Sequence, residues 1–114
     1  MASTLAVGET GVKRVGLGTN RLTNTPGNRV FLQEAISAGV NFIDTAHLYT
    51  GGDSESTIGA ALAPFPEGSV VATKGGYSPG EGRPEALSAQ IEQSLDRLRT
   101  DQIELYYLHR VDPE

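Results

Sequence analysis

Three short apolar runs, residues 40–44, 69–74 and 103–109, end on an acid, a base and an imidazole, and a tyrosine follows the first run by five positions. These four residues are Asp44, Tyr49, Lys74 and His109. If the runs are parallel strands, their carboxyl ends share one edge of a sheet, where α/β sheets and barrels bind ligands. Because a buried charge must be paired, the spacing predicts one site in which the four side chains converge.

The elements that position these residues alternate between strand and helix. Residues 4–7 and 12–14 predict a hairpin around the glycine-containing turn 8–11, since glycine allows the backbone of tight turns. The next elements are predicted as a strand at 15–18, a helix at 29–38, a strand ending at 44, and a helix that begins with Asp53 or Ser54 as its N-cap and stops before Pro64. A strand at 69–74, a helix with Pro84 in its first turn and Arg97 and Arg99 near its end, and a strand ending at 109 follow.

The fold class that follows is α/β, with an N-terminal β-hairpin followed by β-α-β-α-β-α-β. Strands that alternate with helices pair in parallel through right-handed crossovers. The apolar positions agree with this order, because each helix carries one stripe. The predicted stripes are Leu32, Ala35 and Ile36; Ile58, Ala61 and Leu62; and Leu87, Ile91, Leu95 and Leu98.

Five strings, in a fixed order, resemble those of the aldo-keto reductases. They are Gly16–Arg21; Phe42–Ala46; Tyr49 with Ser54, Glu55, Ile58 and Gly59; Ala72–Lys74; and Ser94–Leu98 leading to Asp101–His109. The resemblance extends from about residue 12 to the last residue. It implies a (β/α)8 TIM barrel that uses NADPH, less often NADH, to reduce aldehydes or ketones without a metal. A complete barrel needs about 250 residues, so residues 1–114 are expected to form one partial domain, the N-terminal half, ending after the fourth strand.

Each of the four residues has a role in reducing a carbonyl, which needs a hydride on carbon and a proton on oxygen. Tyr49 is the best proton donor, but a phenol holds its proton too tightly near neutrality and needs a nearby cation. The Lys74 ammonium would favour the phenolate, and Asp44 would keep that ammonium charged and oriented. His109 would hydrogen-bond the substrate oxygen. The resemblance implies the same four catalytic roles.

The residues expected to contact the cofactor come from the resemblance. It places Gly18, Thr19, Asn20 and Asp44 at the nicotinamide end of NADPH. The segment 16–18 is not itself a dinucleotide fingerprint, because a third glycine and an immediately following helix are missing. By the same resemblance, most of the grip on the cofactor's phosphates and adenosine comes from segments after the fifth, seventh and eighth strands.

The composition of the chain argues against several kinds of binding site and partner. The chain has no cysteine, so disulfides and cysteine metal sites are excluded, and no His/Asp/Glu cluster has metal-ligand spacing. A net charge of -5 with scattered basic residues argues against a nucleic-acid partner. No run approaches the roughly 18 apolar residues of a membrane span, and the N-terminus does not read as a signal peptide, so the expected location is the cytoplasm.

Two other interpretations stay open at this stage. Lys74 could form a Schiff base, as in aldolases, if it were desolvated and uncharged, although an Asp44 partner argues against that. The chain could also be a catalytically inactive half-barrel that serves as an assembly or binding module. An open parallel sheet leaves edges and an apolar face uncovered, which predicts self-association or pairing with a complementary half-barrel.

Overall fold

The computed structural model describes residues 4–8, 10–13 and 16–112. In chain order the strands and helices are β1 (Thr4–Val7), β2 (Thr10–Lys13), β3 (Leu17–Gly18), α1 (Pro26–Ser37), β4 (Phe42–Asp44), α2 (Asp53–Leu62), β5 (Val70–Gly75), α3 (Pro84–Leu98) and β6 (Leu105–Leu108). The predicted order of elements is confirmed. Arg14 and Val15, which were predicted in strands, lie outside the described residues.

The hairpin is tighter than predicted. Val7 pairs with Thr10, so β2 begins two residues before the predicted Val12. Gly8 has a φ of +58°, a value that glycine adopts without steric cost and that suits a short hairpin connection. The predicted four-residue turn was wrong, because the shorter connection extends the antiparallel pairing by two residues.

Asn41 fastens the hairpin to the amino-terminal end of the parallel sheet. Its Oδ1 accepts a hydrogen bond from Lys13 N at 2.7 Å, and its Nδ2 donates to Gly11 O at 2.9 Å and to Gly68 O at 3.0 Å. Asn41 immediately precedes β4. The hairpin is therefore tied to the end of the sheet opposite the carboxyl ends of the strands.

The described barrel strands form one parallel sheet in the order β3-β4-β5-β6. Gly18 pairs with Asp44 at the ends of β3 and β4, and Gly75 pairs with Leu108 at the ends of β5 and β6. Asp44 also pairs with Ala72, so the carboxyl ends of the four strands lie along one edge. This sheet, with its helical crossovers, confirms the α/β class and resembles the N-terminal part of a (β/α)8 barrel without being closed.

The helix boundaries follow from capping residues. Helix α1 begins at Pro26, three residues before the predicted start, because Thr25 caps it by accepting a hydrogen bond from Asn28 N at 3.1 Å. Gly39, with a φ of +108°, lies just past its end. Helix α3 spans Pro84–Leu98, which confirms Pro84 in its first turn, and Arg99 caps its end with a φ of +56°.

The predicted N-cap of α2 was wrong. Gly52, with a φ of +100°, occupies the cap position, and the helix begins at Asp53. A 3₁₀ turn over Tyr49–Gly52 leads directly into it. The Ser54 hydroxyl lies instead in the interior, where it hydrogen-bonds Thr19 and Thr45. The left-handed glycine allows this tight entry, so no side-chain cap is required.

The core lies between one face of the sheet and the helices. Its buried members are Leu32, Ile43, Ile58, Leu62, Val71 and Leu98. Of the stripe predicted for α3, only Leu98 is fully buried, while Gln90 and Ser94 are buried beside it. The polar α3 residues are buried because they face the carboxyl ends of the strands, where Gln90 accepts a hydrogen bond from Gly76 N at 2.9 Å.

The opposite face of the sheet is open. A trough of about 450 Å³ lies there between the hairpin and the sheet, and its walls include Val12, Leu17, Gly18, Phe42, Asp44 and Tyr107. Tyr107 on β6 is 45% exposed. This face, called the open trough below, corresponds to the interior of the barrel that the sheet would form if it were closed.

Candidate active site

Asp44 and Lys74 form an ion pair at the carboxyl edge of the sheet. Lys74 Nζ lies 2.9 Å from Asp44 Oδ1 and 3.0 Å from Oδ2, and it also donates to Thr45 O at 2.8 Å. The Lys74 side chain is 13% exposed and that of Asp44 is 37% exposed. These three oxygen contacts fix the position of the Lys74 nitrogen at this edge.

Tyr49 stands beside this ammonium. Lys74 Nζ lies 4.9 Å from the centre of the Tyr49 ring, within the range of a cation–π contact. The 3₁₀ turn that carries Tyr49 contains Thr50 at a φ of +50°, an uncommon value for a β-branched residue. The Thr50 hydroxyl donates to Leu22 O at 2.6 Å and so ties this turn to the loop after β3. Backbone strain of this kind is concentrated at functional sites.

His109 completes the cluster from the end of β6. Its backbone N–H donates to Gly75 O at 2.7 Å, and its ring meets the Tyr49 ring edge-on at 5.8 Å. Burial lowers the pKa of His109, and the charges of Lys74 and Arg110 lower it further, against a smaller opposing effect of Asp44. The imidazole is therefore neutral near pH 7, and a neutral imidazole can donate one N–H to an oxygen.

The loops after β5 and β6 are tied together next to His109. The Asp112 carboxylate accepts hydrogen bonds from Gly80 N and Gly82 N, the latter at 2.9 Å. Arg110 donates to the Tyr77 hydroxyl at 3.1 Å, and the Tyr77 ring lies 5.0 Å from that of His109. These contacts hold the glycine-rich loop after β5 against the carboxyl edge of the sheet.

The residues expected at the nicotinamide end of the cofactor differ in exposure, since Gly18 and Asn20 are exposed and Thr19 is buried. Gly18 pairs with Asp44 and has open space where a side chain would be, and Asn20 is exposed. Thr19 is 4% exposed, and its hydroxyl donates to Asp44 O at 2.7 Å and also meets Ser54 Oγ. The Thr19 hydroxyl is thus used inside the protein, and the cofactor contacts themselves stay predictions.

A second charged pair, Glu55 and Arg97, lies behind the sheet and was not singled out from the sequence. Glu55 is completely buried, and its carboxylate lies 3.1 Å from Arg97 Nη1. Burial and the Glu55 charge raise the pKa of Tyr106 on the neighbouring strand. The sequence could have predicted a buried carboxylate here, because Glu55 precedes Ile58 by three positions and so lies on the apolar stripe of α2.

Within residues 4–8, 10–13 and 16–112, no group of three His, Cys, Asp or Glu side chains is arranged to hold a metal ion. Over the same part of the chain, no helix is both long and apolar enough to span a membrane.

The structure thus combines a parallel α/β sheet with a lysine–carboxylate pair, a tyrosine and an imidazole at its carboxyl edge, an arrangement that resembles part of a (β/α)8 barrel. Residues 14–114 match the model of the aldo/keto reductase family. The chain belongs to this family of oxidoreductases.

Individual relatives agree with the family model. An uncharacterized oxidoreductase of Schizosaccharomyces pombe is 36% identical over 99% of this chain and 42% of its own length. An aldo-keto reductase of Strobilurus tenacellus is 38% identical over 100% of this chain and 35% of its own length. The crystal structure of a Klebsiella pneumoniae aldo/keto reductase with NADP and acetate superposes with a TM-score of 0.85 at 30% identity, covering 99% of this chain and 41% of that one. The chain therefore spans less than half the length of these relatives.

Proposed function

We propose that this chain carries the catalytic residues of an NAD(P)H-dependent reductase that converts aldehydes or ketones to alcohols, with Tyr49 as the general acid. The observation that supports the proposal best is the convergence of Tyr49, Lys74 and His109 at one edge of the sheet, with Lys74 Nζ 4.9 Å from the Tyr49 ring. A phenol, an ammonium and a neutral imidazole together suit protonation of a carbonyl oxygen.

The open trough offers room for a nicotinamide. Gly18 and Asp44 line it, Asp44 is partly exposed there, and no atom lies within 4 Å of where a Gly18 side chain would begin. Gly18, Asn20 and Asp44 would hold the nicotinamide end of NADPH, or of NADH, which supplies the hydride when bound. The NADP in the Klebsiella pneumoniae structure favours the phosphorylated form.

The residues of this chain would divide the proton chemistry among them. Tyr49 gives its proton to the oxygen of the carbonyl as the C–H bond forms. Lys74, held by Asp44, stabilises the phenolate that Tyr49 becomes. His109 donates an N–H to the same oxygen and orients the carbonyl. The loop after β5, tied down through Asp112, places the Tyr77 ring 5.0 Å from the His109 ring and would form one wall of this edge.

A direct assay tests the proposal. The natural gene product that contains residues 1–114 should oxidise NADPH only when an aldehyde such as p-nitrobenzaldehyde is added, as measured by the loss of reduced-nicotinamide absorbance. A product that binds NADPH yet shows no oxidation with any of a panel of aldehydes and ketones would overturn it.

The environment of Lys74 also predicts the outcome of a trapping experiment. Because Asp44 and Thr45 O engage Lys74 Nζ in hydrogen bonds at 2.9 and 2.8 Å, the nitrogen is not free to attack a carbonyl. Borohydride added with an aldehyde should therefore leave Lys74 unmodified in a peptide mass map. An adduct on Lys74, with exposed Lys13 as the reactivity control, would instead favour the Schiff-base interpretation.

The open trough favours a second candidate function, an inactive half-barrel that assembles through this face. Tyr107 and Leu108 on β6 are 45% and 52% exposed, and no described strand pairs with the outer edge of β3 or of β6. An uncovered sheet edge beside an apolar face promotes association. For the isolated 114-residue chain we propose that the occupant of this face is a second copy.

The isolated 114-residue chain should therefore self-associate, bind NADPH weakly at best and show no steady-state reductase activity. Light scattering and a titration of cofactor fluorescence measure the two properties. Adding a complementary half-barrel should replace the self-association with a mixed dimer. A stable monomer that binds NADPH with a Kd in the micromolar range would contradict this expectation.

A further inference from the structure

The Glu55–Arg97 pair connects the elements that carry the catalytic residues. Glu55, on α2, accepts hydrogen bonds from Arg97 at 3.1 Å through Oε1 and from Thr73 Oγ1 at 2.6 Å through Oε2. Thr73 immediately precedes Lys74 on β5. One buried carboxylate thus joins α2, α3 and the strand that presents the catalytic lysine.

Arg97 extends this connection to the segment that carries Tyr49. Its Nη1 also donates to His47 O at 2.9 Å. His47 is held at two further points, because its N–H donates to Lys74 O at 2.9 Å and its Nε2 meets Gln93 Oε1 at 2.5 Å. Gln93 and Arg97 are four residues apart and therefore lie on the same face of α3. This face contacts both the side chain and the backbone carbonyl of His47, which lies two positions before Tyr49.

Gly52 shows how closely the guanidinium abuts the Tyr49 turn. A side chain at Gly52 would begin 2.6 Å from Arg97 Cζ, so the guanidinium occupies the space that any larger residue would need. Gly52 closes the 3₁₀ turn that Tyr49 opens. Arg97 therefore contacts the 47–52 segment at both of its ends.

Stability alone is a poor explanation for this arrangement. Removing two charges from water costs about as much as their attraction returns, and an apolar pair of similar volume is often at least as stable. What a buried, directional pair adds is a fixed geometry, because an arginine–carboxylate contact constrains both partners. A fixed geometry of this kind matters most for catalytic groups, which must be held close to the arrangement in which they react.

We propose that Glu55 and Arg97 are positioning residues that set the Tyr49 phenol relative to the Lys74 ammonium. Neither touches the substrate. Arg97 fixes the Tyr49 segment through His47 O, and Glu55 fixes the Lys74 strand through Thr73. The inference rests on the proposed reductase function, because it assigns these residues a role in the same proton transfer.

Removing the guanidinium tests the proposal in the natural gene product. Arg97→Met should lower kcat for p-nitrobenzaldehyde about 10- to 100-fold through misplacement of Tyr49, with the Kd for NADPH unchanged. Arg97→Lys should recover most of that loss, since the single atom Nη1 makes both the Glu55 and the His47 contacts. Arg83→Met, at an exposed position of α3's N-cap, is the matched control and should leave kcat unchanged.

A double-variant cycle separates positioning from simple stabilisation. In a Tyr49→Phe background, Arg97→Met should lower the residual turnover less than about threefold, because the group that Arg97 positions is already missing. Independent, multiplicative losses would overturn the proposal, as would unchanged turnover in Arg97→Met. If Tyr49→Phe itself had no effect on turnover, the proposed function would fail instead.

A milder change covers the case in which Arg97→Met does not fold. Thr73→Val conserves shape and removes the hydroxyl that bonds Glu55 Oε2. It should lower kcat in the same direction, by about threefold to tenfold. The circular-dichroism melt should stay cooperative but begin at a lower temperature, because Glu55 Oε2 loses its partner. Full turnover by this variant would remove Glu55 from the proposal.

Discussion

Replacing Tyr49 with phenylalanine should lower kcat by about a hundredfold or more, the scale of general acid catalysis. No described group hydrogen-bonds the Tyr49 hydroxyl, so phenylalanine breaks no contact within residues 4–8, 10–13 and 16–112. The ring contacts with Lys74 and His109 remain. Steady-state turnover of an aromatic aldehyde by the natural gene product measures the effect.

The matched control is another tyrosine near the same ammonium. The Tyr107 ring lies 5.9 Å from Lys74 Nζ, farther than that of Tyr49, and it lines the open trough. Phenylalanine keeps this ring and removes only the hydroxyl, so Tyr107→Phe should have a normal kcat. The Kd for NADPH should be little changed in both variants. Near-normal turnover by Tyr49→Phe, or an equal loss in Tyr107→Phe, would remove Tyr49 as the proton donor.

Gly59→Ala should lower the free energy of unfolding by about 2 to 3 kcal/mol, although alanine favours helix formation over glycine. A methyl group at Gly59 would overlap Arg97 O and would lie 2.8 Å from the carbonyl carbon of Leu98. Both are backbone atoms of α3, which cannot move without disturbing the packing of α2 against α3. Urea denaturation measures the loss.

Gly27→Ala is the control for helix propensity. Gly27 lies in α1 and has no atom within 4 Å of an added methyl group, so the change should raise the free energy of unfolding by about 0.5 to 1 kcal/mol. If the two variants had the same stability, the close approach of α2 and α3 at Gly59 would not be a structural requirement.

Much of the fold was predictable because its signals are local. Apolar stripes, Pro84 at the first turn of α3 and Gly39 after α1 depend on residues within one element. The α2 cap was not predictable in this way. Ser54 has the usual residue type for a cap, but its hydroxyl bonds Thr19, which is far away in sequence and adjacent only in the folded chain.

The same distinction separates what was found at the site from what was missed. Asp44 ends β4, Lys74 is the next-to-last residue of β5 and His109 directly follows β6, so topology alone brings them to one edge. Glu55 and Arg97 meet through the packing of two helices, and neither helix shows which polar residue the other presents. The pairing of such residues depends on interhelical geometry that residue spacing within one helix does not determine.

The four converging side chains all come from one uninterrupted stretch, residues 44–109. Their geometry depends on contacts within that same stretch, including those of His47, Glu55, Thr73 and Arg97. Genetic exchange with breakpoints on either side of it would transmit these four groups together with many of the contacts that orient them. Only a few of the described contacts, such as those of Thr19, Leu22 and Asp112, would have to be supplied by the flanking sequence.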